Sequence, residues 1–318
     1  MAAGDGAAGT VGRGGGLAGE LALLALLATL WGASYTLIKI GVATIPPVTL
    51  IAGRTLVAGL VLLAVLRLRG IALPRGRAVW GAFLVQACLN SVLPFTLIAW
   101  AELRVEAGLA AILNSTTPVF AFLIALCVGG GAAAGGRRLF GVAAGLAGIV
   151  LVVGVQALDG FGADLAAQLA IVAATVAYGG AAVFGSRFKG LDPAVPAAGS
   201  LICGAALLLP ASLAVDRPWT LQPSADSLLA LLALAVFSTA LAFVIYFRLF
   251  RTLGPVGATA QAYLRVPVGV AIGMAFLDEA PGPSAWIGLL LVVLGVAAMT
   301  LPAAPPGPAR KEGSRKDV

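Results

Sequence analysis

The chain has 318 residues, of which 60% are hydrophobic and only 10% are charged, and its mean hydropathy is +1.05. Soluble domains are about 25% charged, so this chain could not cover a folded surface with polar groups in water. We expect most of it to lie in a lipid bilayer. The net charge of +7 does not indicate nucleic-acid binding, because the basic residues form short clusters between apolar runs rather than one continuous stripe.

The residue types that hold metals and cofactors are scarce. The sequence has no His, and its three cysteines lie inside apolar runs, which argues against disulfide frameworks and against His-based or CxxC-type metal sites. The glycine run GGGAAAGG is not followed by the Lys-Ser/Thr pair of a phosphate loop. We therefore expect no cofactor and no metal.

Ten apolar segments of about 17 to 23 residues follow one another, and a helix of that length crosses about 30 Å of hydrocarbon. They are 17–39, 47–66, 79–99, 107–128, 138–155, 165–186, 194–215, 227–249, 256–277 and 285–301. The tails, 1–16 and 302–318, are rich in Gly, Ala and Pro and are expected to be disordered. The predicted fold is an all-α integral membrane protein with ten transmembrane helices.

The charge of the connections alternates in sign. Fifteen of the twenty basic residues lie at the termini and in every second connection. The other connections hold only Arg104 and Arg217, together with eight acidic residues: Glu102, Glu106, Asp159, Asp164, Asp216, Asp226, Asp278 and Glu279. By the positive-inside rule, both termini are predicted to be cytoplasmic.

The second half of the chain repeats the first in inverted orientation. With an offset of about 149 residues, the fourth span aligns with the ninth, so that Pro118 meets Pro267 and Gly108 meets Gly257. Each copy, 17–155 and 164–301, holds five spans, and the sign of the loop charges is reversed between them. Inverted repeats recur in secondary transporters, where the substrate binds near the membrane midplane between the copies.

Several segments resemble the EamA-type repeats of the drug/metabolite transporter superfamily. They are WGASYTLIKI at 31–40, the prolines at 46–47 with Arg54, YLRVPVGVAIG at 263–273 and LDE at 277–279. The resemblance implies two five-helix repeats and export or exchange of small metabolites across the inner membrane. The sequence departs from the family pattern at Asp278, where Gly is usual, at GGGAAAGG, where an acidic turn is common, and at Arg265, where an apolar residue is usual.

Polar residues at membrane depth supply the candidate binding site, because they are costly unless they face a cavity or a partner helix. The candidate substrate-binding residues are Trp31, Tyr35, Gln86, Asn90, Asn114, Thr117, Tyr178, Tyr263 and Arg265. Structural alternatives remain open for some of them. Thr hydroxyls readily bond their own helix backbone, and Trp31 and Tyr35 could belong to an aromatic belt at the outer interface.

Pro118 and Pro267 are predicted to break the fourth and ninth helices at equivalent depths. Proline lacks an amide donor and clashes with the carbonyl four residues before it. The carbonyls of Asn114 and Tyr263 would then be free to bind water, a side chain or a substrate ammonium group.

Arg265 lies about 14 Å into its predicted helix, where insertion scales put the cost of an Arg at about 2.5–3.5 kcal/mol. The sequence offers it no mid-span carboxylate. One interpretation is that Arg265 bonds carbonyls loosened by the two prolines. The other is that it binds a substrate carboxylate through its planar guanidinium group, which favours an amino acid or an organic acid.

The sequence thus predicts a carrier that moves a small polar metabolite by alternating access, as a monomer or a homodimer. Its cavity is expected between spans one, three, four, six, eight and nine, the choice that the family resemblance implies. Proton coupling is unsupported, because no Asp or Glu lies mid-span. The alternatives are a membrane enzyme acting on a lipid-linked substrate, for which no base with an orienting partner is apparent, and a membrane protein that does not transport.

Overall fold

A computed structural model describes residues 13–128, 136–157, 163–252 and 261–300. Within these ranges every regular element is a helix, which confirms the all-α prediction. Eight helical segments are long and apolar enough to cross a membrane, and two shorter apolar helices, Leu264–Leu277 and Pro283–Ala298, correspond to the ninth and tenth predicted spans.

Six of the spans are single helices: the first, second, fifth, sixth, seventh and tenth are Arg13–Val42, Pro47–Leu68, Gly136–Ala157, Ala163–Phe184, Ala194–Val215 and Pro283–Thr300. The described part of the ninth span is the helix Gln261–Leu277. The other three are interrupted. The third span consists of Arg77–Ala87 and Leu93–Ala101, which are joined by a π-helical turn. The fourth consists of Ala107–Asn114 and Thr117–Cys127. The eighth consists of Ala225–Ala235 and Ala242–Thr252, which are joined by a second π-helical turn.

The spans pair according to the inverted repeat. The second packs along the seventh and the fifth along the tenth, each the counterpart of the other in the opposite copy. The first span packs against the eighth and ninth, and its counterpart, the sixth, packs against the third and fourth. The two copies therefore interlock across their whole length rather than lying side by side.

Glycines set the closest of these helix crossings. A Cβ on Gly295 would lie 2.6 Å from the carbonyl oxygen of Gly141, and one on Gly148 would lie 3.0 Å from that of Gly288. With a two-residue gap, the repeat aligns Gly141 with Gly288 and Gly148 with Gly295. Small residues of this kind let transmembrane helices approach backbone to backbone.

The bundle has two chemically different ends. We call the end that carries Arg69, Arg137, Arg187 and Arg251 the basic face, and the end that carries Glu102, Glu106, Asp216, Asp278 and Glu279 the acidic face. Both ion pairs found in the described ranges, Arg69–Asp192 at 2.8 Å and Arg248–Glu20 at 3.0 Å, lie at the basic face. Between the faces, many leucine, valine and phenylalanine side chains are exposed, as expected for a surface in contact with lipid.

Candidate functional site

A cavity of about 890 Å³ lies between the two copies. All six predicted spans line it, and the second, seventh and tenth spans contribute as well. Its wall begins at Ile38 and Ile98 on the side of the acidic face and continues to the exposed segment 189–191 at the basic face. The protein is therefore in a state that is open at the basic face and closed at the acidic face.

Eight of the nine candidate binding residues line this cavity, together with Pro118: Trp31, Tyr35, Gln86, Asn90, Asn114, Thr117, Tyr178 and Arg265. Trp31 and Tyr35 lie on the cavity wall rather than at an outer interface, and Tyr35 is buried. The ninth candidate is Tyr263, whose side chain lies outside the described residues, as does the start of the ninth predicted span at 256–260.

The two matched prolines do not have the same effect. The fourth span is interrupted at Ser115 and Thr116, just before Pro118, whereas the ninth helix runs through Pro267 without a break. The predicted helix break at Pro267 is therefore wrong. The reason lies in the preceding residues: the hydroxyls of Thr116 and Thr117 donate to the carbonyls of Leu113 at 2.7 Å and Asn114 at 2.8 Å, and residues 264–266 have no hydroxyl to do the same.

Asn114 and Tyr35 join the fourth span to the first at the centre of the cavity wall. The amide nitrogen of Asn114 donates a hydrogen bond of 2.6 Å to the Tyr35 hydroxyl. The amide oxygen of Asn114 is buried and has no partner among the described residues, and neither has the amide oxygen of Gln86. A buried amide normally satisfies several hydrogen bonds at once, so the wall holds spare acceptors.

Arg265 is a cation on the cavity wall that has no ion-pair partner among the described residues. Its side chain is partly buried on the cavity wall, and its Nε has no hydrogen-bond partner among the described residues. Neither of the two ion pairs includes it. The Tyr178 hydroxyl interacts with it electrostatically. The sequence interpretation in which Arg265 binds loosened carbonyls finds no such bond in the described part of the chain.

Arg54, whose role the sequence left open, is also part of the wall. It is 5% exposed, its Nε donates a 2.9 Å hydrogen bond to the Thr239 hydroxyl, and its guanidinium carbon lies 3.7 Å from the centre of the Phe95 ring. A guanidinium group over an aromatic face is stabilised by the ring quadrupole. Arg54 is therefore fixed by contacts with the third and eighth spans, whereas Arg265 has no such hydrogen bond or ring contact among the described residues.

Thr239 is a site residue that the sequence analysis missed, although the repeat points to it. The offset of 149 that aligns the two prolines also aligns Asn90 with Thr239. Both lie in the π-helical turns, Cys88–Val92 and Val236–Leu241, that interrupt the third and eighth spans. Turns of this kind occur often at functional sites, because the extra residue turns side chains away from the regular helical face.

The acidic face is closed by carboxylates that cap helices of the other copy. Glu279 accepts hydrogen bonds from the backbone amides of Ala107 at 2.6 Å and Gly108 at 2.8 Å, at the start of the fourth span. Asp216 likewise accepts from the backbone amide of Thr49 at 2.9 Å, at the start of the second span. An anion at a helix N-terminus is stabilised by the unpaired amides and by the helix dipole. We call the Glu279 contact the acidic-face latch.

Lys39 and Glu102 lie beside the latch. The Lys39 ammonium group donates to the main-chain carbonyls of Glu102 at 2.6 Å and Val105 at 2.9 Å. The Glu102 side chain is fully buried, and both of its carboxylate oxygens lack a partner among the described residues. Burial raises the pKa of Glu102 well above its usual range, and burial followed by the negative charge of Glu279 raises the pKa of Glu106. Hydropathy could not indicate the environment of Glu102, because this residue lies just past the end of an apolar run.

Within the described ranges, no three His, Cys, Asp or Glu side chains come together as a metal site would require. The chemistry that the cavity offers is hydrogen bonding and charge. In an otherwise apolar bundle, the cavity has a polar wall. This wall contains two guanidinium groups, two amide side chains with unpartnered oxygens among the described residues, and tyrosine hydroxyls.

Comparison with known proteins gives this geometry a family. The model of the EamA-like transporter family matches residues 19–154 and again residues 165–301. The inner membrane transporter YedA of Escherichia coli strain K12 is 32% identical over 276 residues, which is 86% of this chain and 87% of that protein. A probable terminal-alkyne amino-acid exporter of Streptantibioticus cattleyicolor is 27% identical over 278 residues, which is 86% of this chain and 90% of that protein.

A solved crystal structure has the same fold. It aligns at 21% sequence identity with a TM-score of 0.62 and covers 89% of this chain and 97% of its own. Taken with the two family matches, this similarity agrees with ten helices in two inverted five-helix repeats. The matched family and the named relatives are transporters, not enzymes. The chain belongs to the EamA-like transporter family and is a multi-pass membrane transporter.

Proposed function

We propose that the protein carries a small metabolite with a carboxylate group, an amino acid or an organic acid, out of the cell or in exchange across the inner membrane. The observation that carries this proposal is Arg265, a cation on the wall of a central cavity whose Nε has no partner in the described part of the chain. A planar guanidinium group binds a carboxylate through two parallel hydrogen bonds.

The other groups on the wall fit the rest of such a substrate. Arg54 already donates through its Nε to Thr239 and lies over the Phe95 ring, and it adds positive potential to the wall. The unpartnered amide oxygens of Asn114 and Gln86 can accept hydrogen bonds from a substrate ammonium or hydroxyl group. An amino acid would use both kinds of group, and the Streptantibioticus relative is named as a probable amino-acid exporter.

Alternating access supplies the transport cycle. The cavity opens at the basic face, which the positive-inside rule assigns to the cytoplasm together with both termini. Loading would then occur from the cytoplasm, and release would follow once the acidic face opens and the basic face closes. Such a motion has to break three contacts at the acidic face or move their partners together. They are the acidic-face latch, the hydrogen bonds of Lys39 and the hydrogen bond of Asp216 to the Thr49 amide.

Transport measurements on Arg265 variants test the proposal. The substrate is first sought by comparing the medium of an overexpressing strain with that of a deletion strain, and uptake of the compound is then measured in proteoliposomes. Arg265→Lys keeps the charge but loses the planar fork, so we expect it to impair transport less than Arg265→Gln does. The control, Arg104→Gln, removes an exposed arginine outside the cavity and should transport normally.

The proposal fails if Arg265→Gln transports anionic substrates at the wild-type rate, or if it improves the transport of a cation. Both variants have to be inserted in the membrane and equally stable for the comparison to count. Unchanged metabolite profiles across several growth media would argue against export in particular.

A further inference from the structure

The strongest unexplained feature of the molecule is the carboxyl group of Glu102. It lies at the end of the third span, its side chain is 0% exposed, and neither of its oxygens has a hydrogen-bond partner in the described part of the chain. An ionised carboxylate is normally buried only with a partner, because an unpaired buried charge is very unfavourable. The group is therefore expected to carry a proton in this state.

Each charged group that faces Glu102 is engaged elsewhere or repels it. Lys39, on the first span, directs its ammonium group to the main-chain carbonyls of Glu102 and Val105 rather than to the carboxylate. Arg54, on the second span, is bound to a hydroxyl and an aromatic ring. Glu279, which follows the ninth span, is negative and bonded to helix amides, so its charge opposes ionisation of Glu102. The nearby Glu106 is exposed to solvent.

We propose that Glu102 is a proton-binding site of the carrier, neutral while the acidic face is closed and ionised once that face opens to water. Closing the face would transfer one proton from the adjoining solution to the carboxylate, which becomes a carboxylic acid. The proposal rests on the alternating access proposed above, but it adds a ligand, the proton, that the sequence analysis regarded as unsupported.

Linkage gives the direction of the effect. Burial raises the pKa of Glu102 in the closed state above its value in an open, hydrated state. The closed state therefore binds the proton more tightly, and acid on the acidic face favours closure. Between the two pKa values, the ratio of open to closed protein should rise about tenfold for each unit of pH.

Cysteine labelling measures this ratio without any substrate. In a protein without its native cysteines, Ser34→Cys places one thiol on the cavity wall. An impermeant maleimide is added at the acidic face, and the labelling rate of this thiol is measured from about pH 5.5 to about pH 8.5. A second protein carries Gln222→Cys, at an exposed acidic-face position. Because thiol reactivity itself rises with pH, the measured quantity is the labelling rate at position 34 divided by that at position 222.

We expect the wild-type ratio to rise with pH over this range. Glu102→Gln keeps the shape of the neutral acid, so its ratio should stay low and independent of pH. Glu106→Gln removes an exposed carboxylate four residues away and should behave like wild type. Glu102→Asp keeps a titratable group and should keep a pH dependence, which guards against an effect of substitution alone.

A flat wild-type ratio, or a Glu102→Gln protein that retains the wild-type pH dependence, would overturn the proton site. Neither result bears on the substrate, which depends on transport by the Arg265 variants. Conversely, normal transport by Arg265→Gln would leave the labelling result intact, so the failures of the two proposals are distinguishable.

Discussion

Removing the acidic-face latch should shift the carrier towards a state that is open at the acidic face. The Glu279 carboxylate accepts two hydrogen bonds from the first amides of the helix Ala107–Asn114, at 2.6 and 2.8 Å. Hydrogen bonds to a charged acceptor contribute about 1.5–3 kcal/mol each, but in the open state water would replace part of that. After this exchange with water, each capping hydrogen bond contributes about 1 kcal/mol. The two hydrogen bonds of Glu279 together therefore contribute about 2 kcal/mol, which corresponds to about a thirtyfold change in the ratio of open to closed protein.

The glycines around the carboxylate provide a second way to remove the same contact. A Cβ on Gly273 would overlap the Glu279 carboxylate oxygen, and one on Gly108 would lie 3.1 Å from it. Gly273→Ala should therefore displace the carboxylate while keeping its charge. The paired results of Glu279→Ala and Gly273→Ala separate the loss of the hydrogen bonds from the loss of the charge.

The assay is the labelling rate of Ser34→Cys from the acidic face at constant pH, relative to Gln222→Cys. Glu279→Ala should raise this ratio about thirtyfold relative to wild type. Gly273→Ala should raise it by less. Glu279→Gln keeps one acceptor oxygen, so its ratio should lie between those of the wild type and Glu279→Ala. Asp278→Asn is the matched control, because Asp278 is exposed and adopts a φ of 54° that Asn tolerates. If Glu279→Ala labels like wild type, the carboxylate does not hold the face closed.

Three further predictions concern other parts of the molecule. Gly282→Cys, in a background without native cysteines, should react with an impermeant maleimide added outside the cell; labelling only after lysis would reverse the predicted orientation. Asn114→Leu removes the hydrogen bond to Tyr35 and a spare acceptor, so transport should be lost while the protein remains inserted; a lowered melting temperature instead would indicate a structural role. Gly179→Ala should lower stability by about 1–3 kcal/mol, because its Cβ would lie 2.7 Å from a backbone nitrogen of the fourth span, whereas Gly81→Ala has open space and should be neutral in thermal unfolding.

The bundle and most of the cavity wall could be predicted from the sequence because both follow from the cost of polarity in lipid. A run of about 20 apolar residues has few alternatives to a transmembrane helix. A polar residue such as Asn114 or Arg265 inside such a run has to face a cavity or another helix. The family resemblance implied which helices surround the cavity, and the structure has all six of the expected spans in its wall.

The environment of Glu102 could not be predicted, because it depends on contacts between segments far apart in sequence. Glu102 lies past the end of its apolar run, where an acidic residue is normally hydrated. In the fold it is buried, Lys39, 63 residues earlier, binds its main-chain carbonyl, and Glu279 from the other copy binds the start of the fourth span nearby. Hydropathy carries no information about such contacts.

The wrong prediction at Pro267 has a different origin. The alignment of the prolines was taken to imply the same local structure, but a proline in a membrane helix breaks it only if the freed carbonyls find other donors. The Ser-Thr-Thr segment before Pro118 supplies those donors one turn away. The ninth span has Leu, Arg and Val at the corresponding positions, and it remains helical.

The same kind of divergence between the copies explains why the cavity opens at the basic face. At the acidic face, carboxylates that follow the seventh and ninth spans cap the second and fourth. Inverted symmetry would require carboxylates after the second and fourth spans to cap the seventh and ninth at the basic face. Arg69 follows the second span instead, and it pairs with Asp192, which caps its own helix through the Ala194 amide at 3.0 Å.

After the fourth span, the sequence has only GGGAAAGG where the repeat aligns Glu279, and this segment lies outside the described residues. No acidic residue is available in it to form a second latch. The positive-inside rule favours arginine and lysine in these connections, and in this chain they stand where the other copy has its capping carboxylates. A carrier of this sequence should rest with its cavity open at the basic face, and closing that face would depend on the substrate or on other contacts.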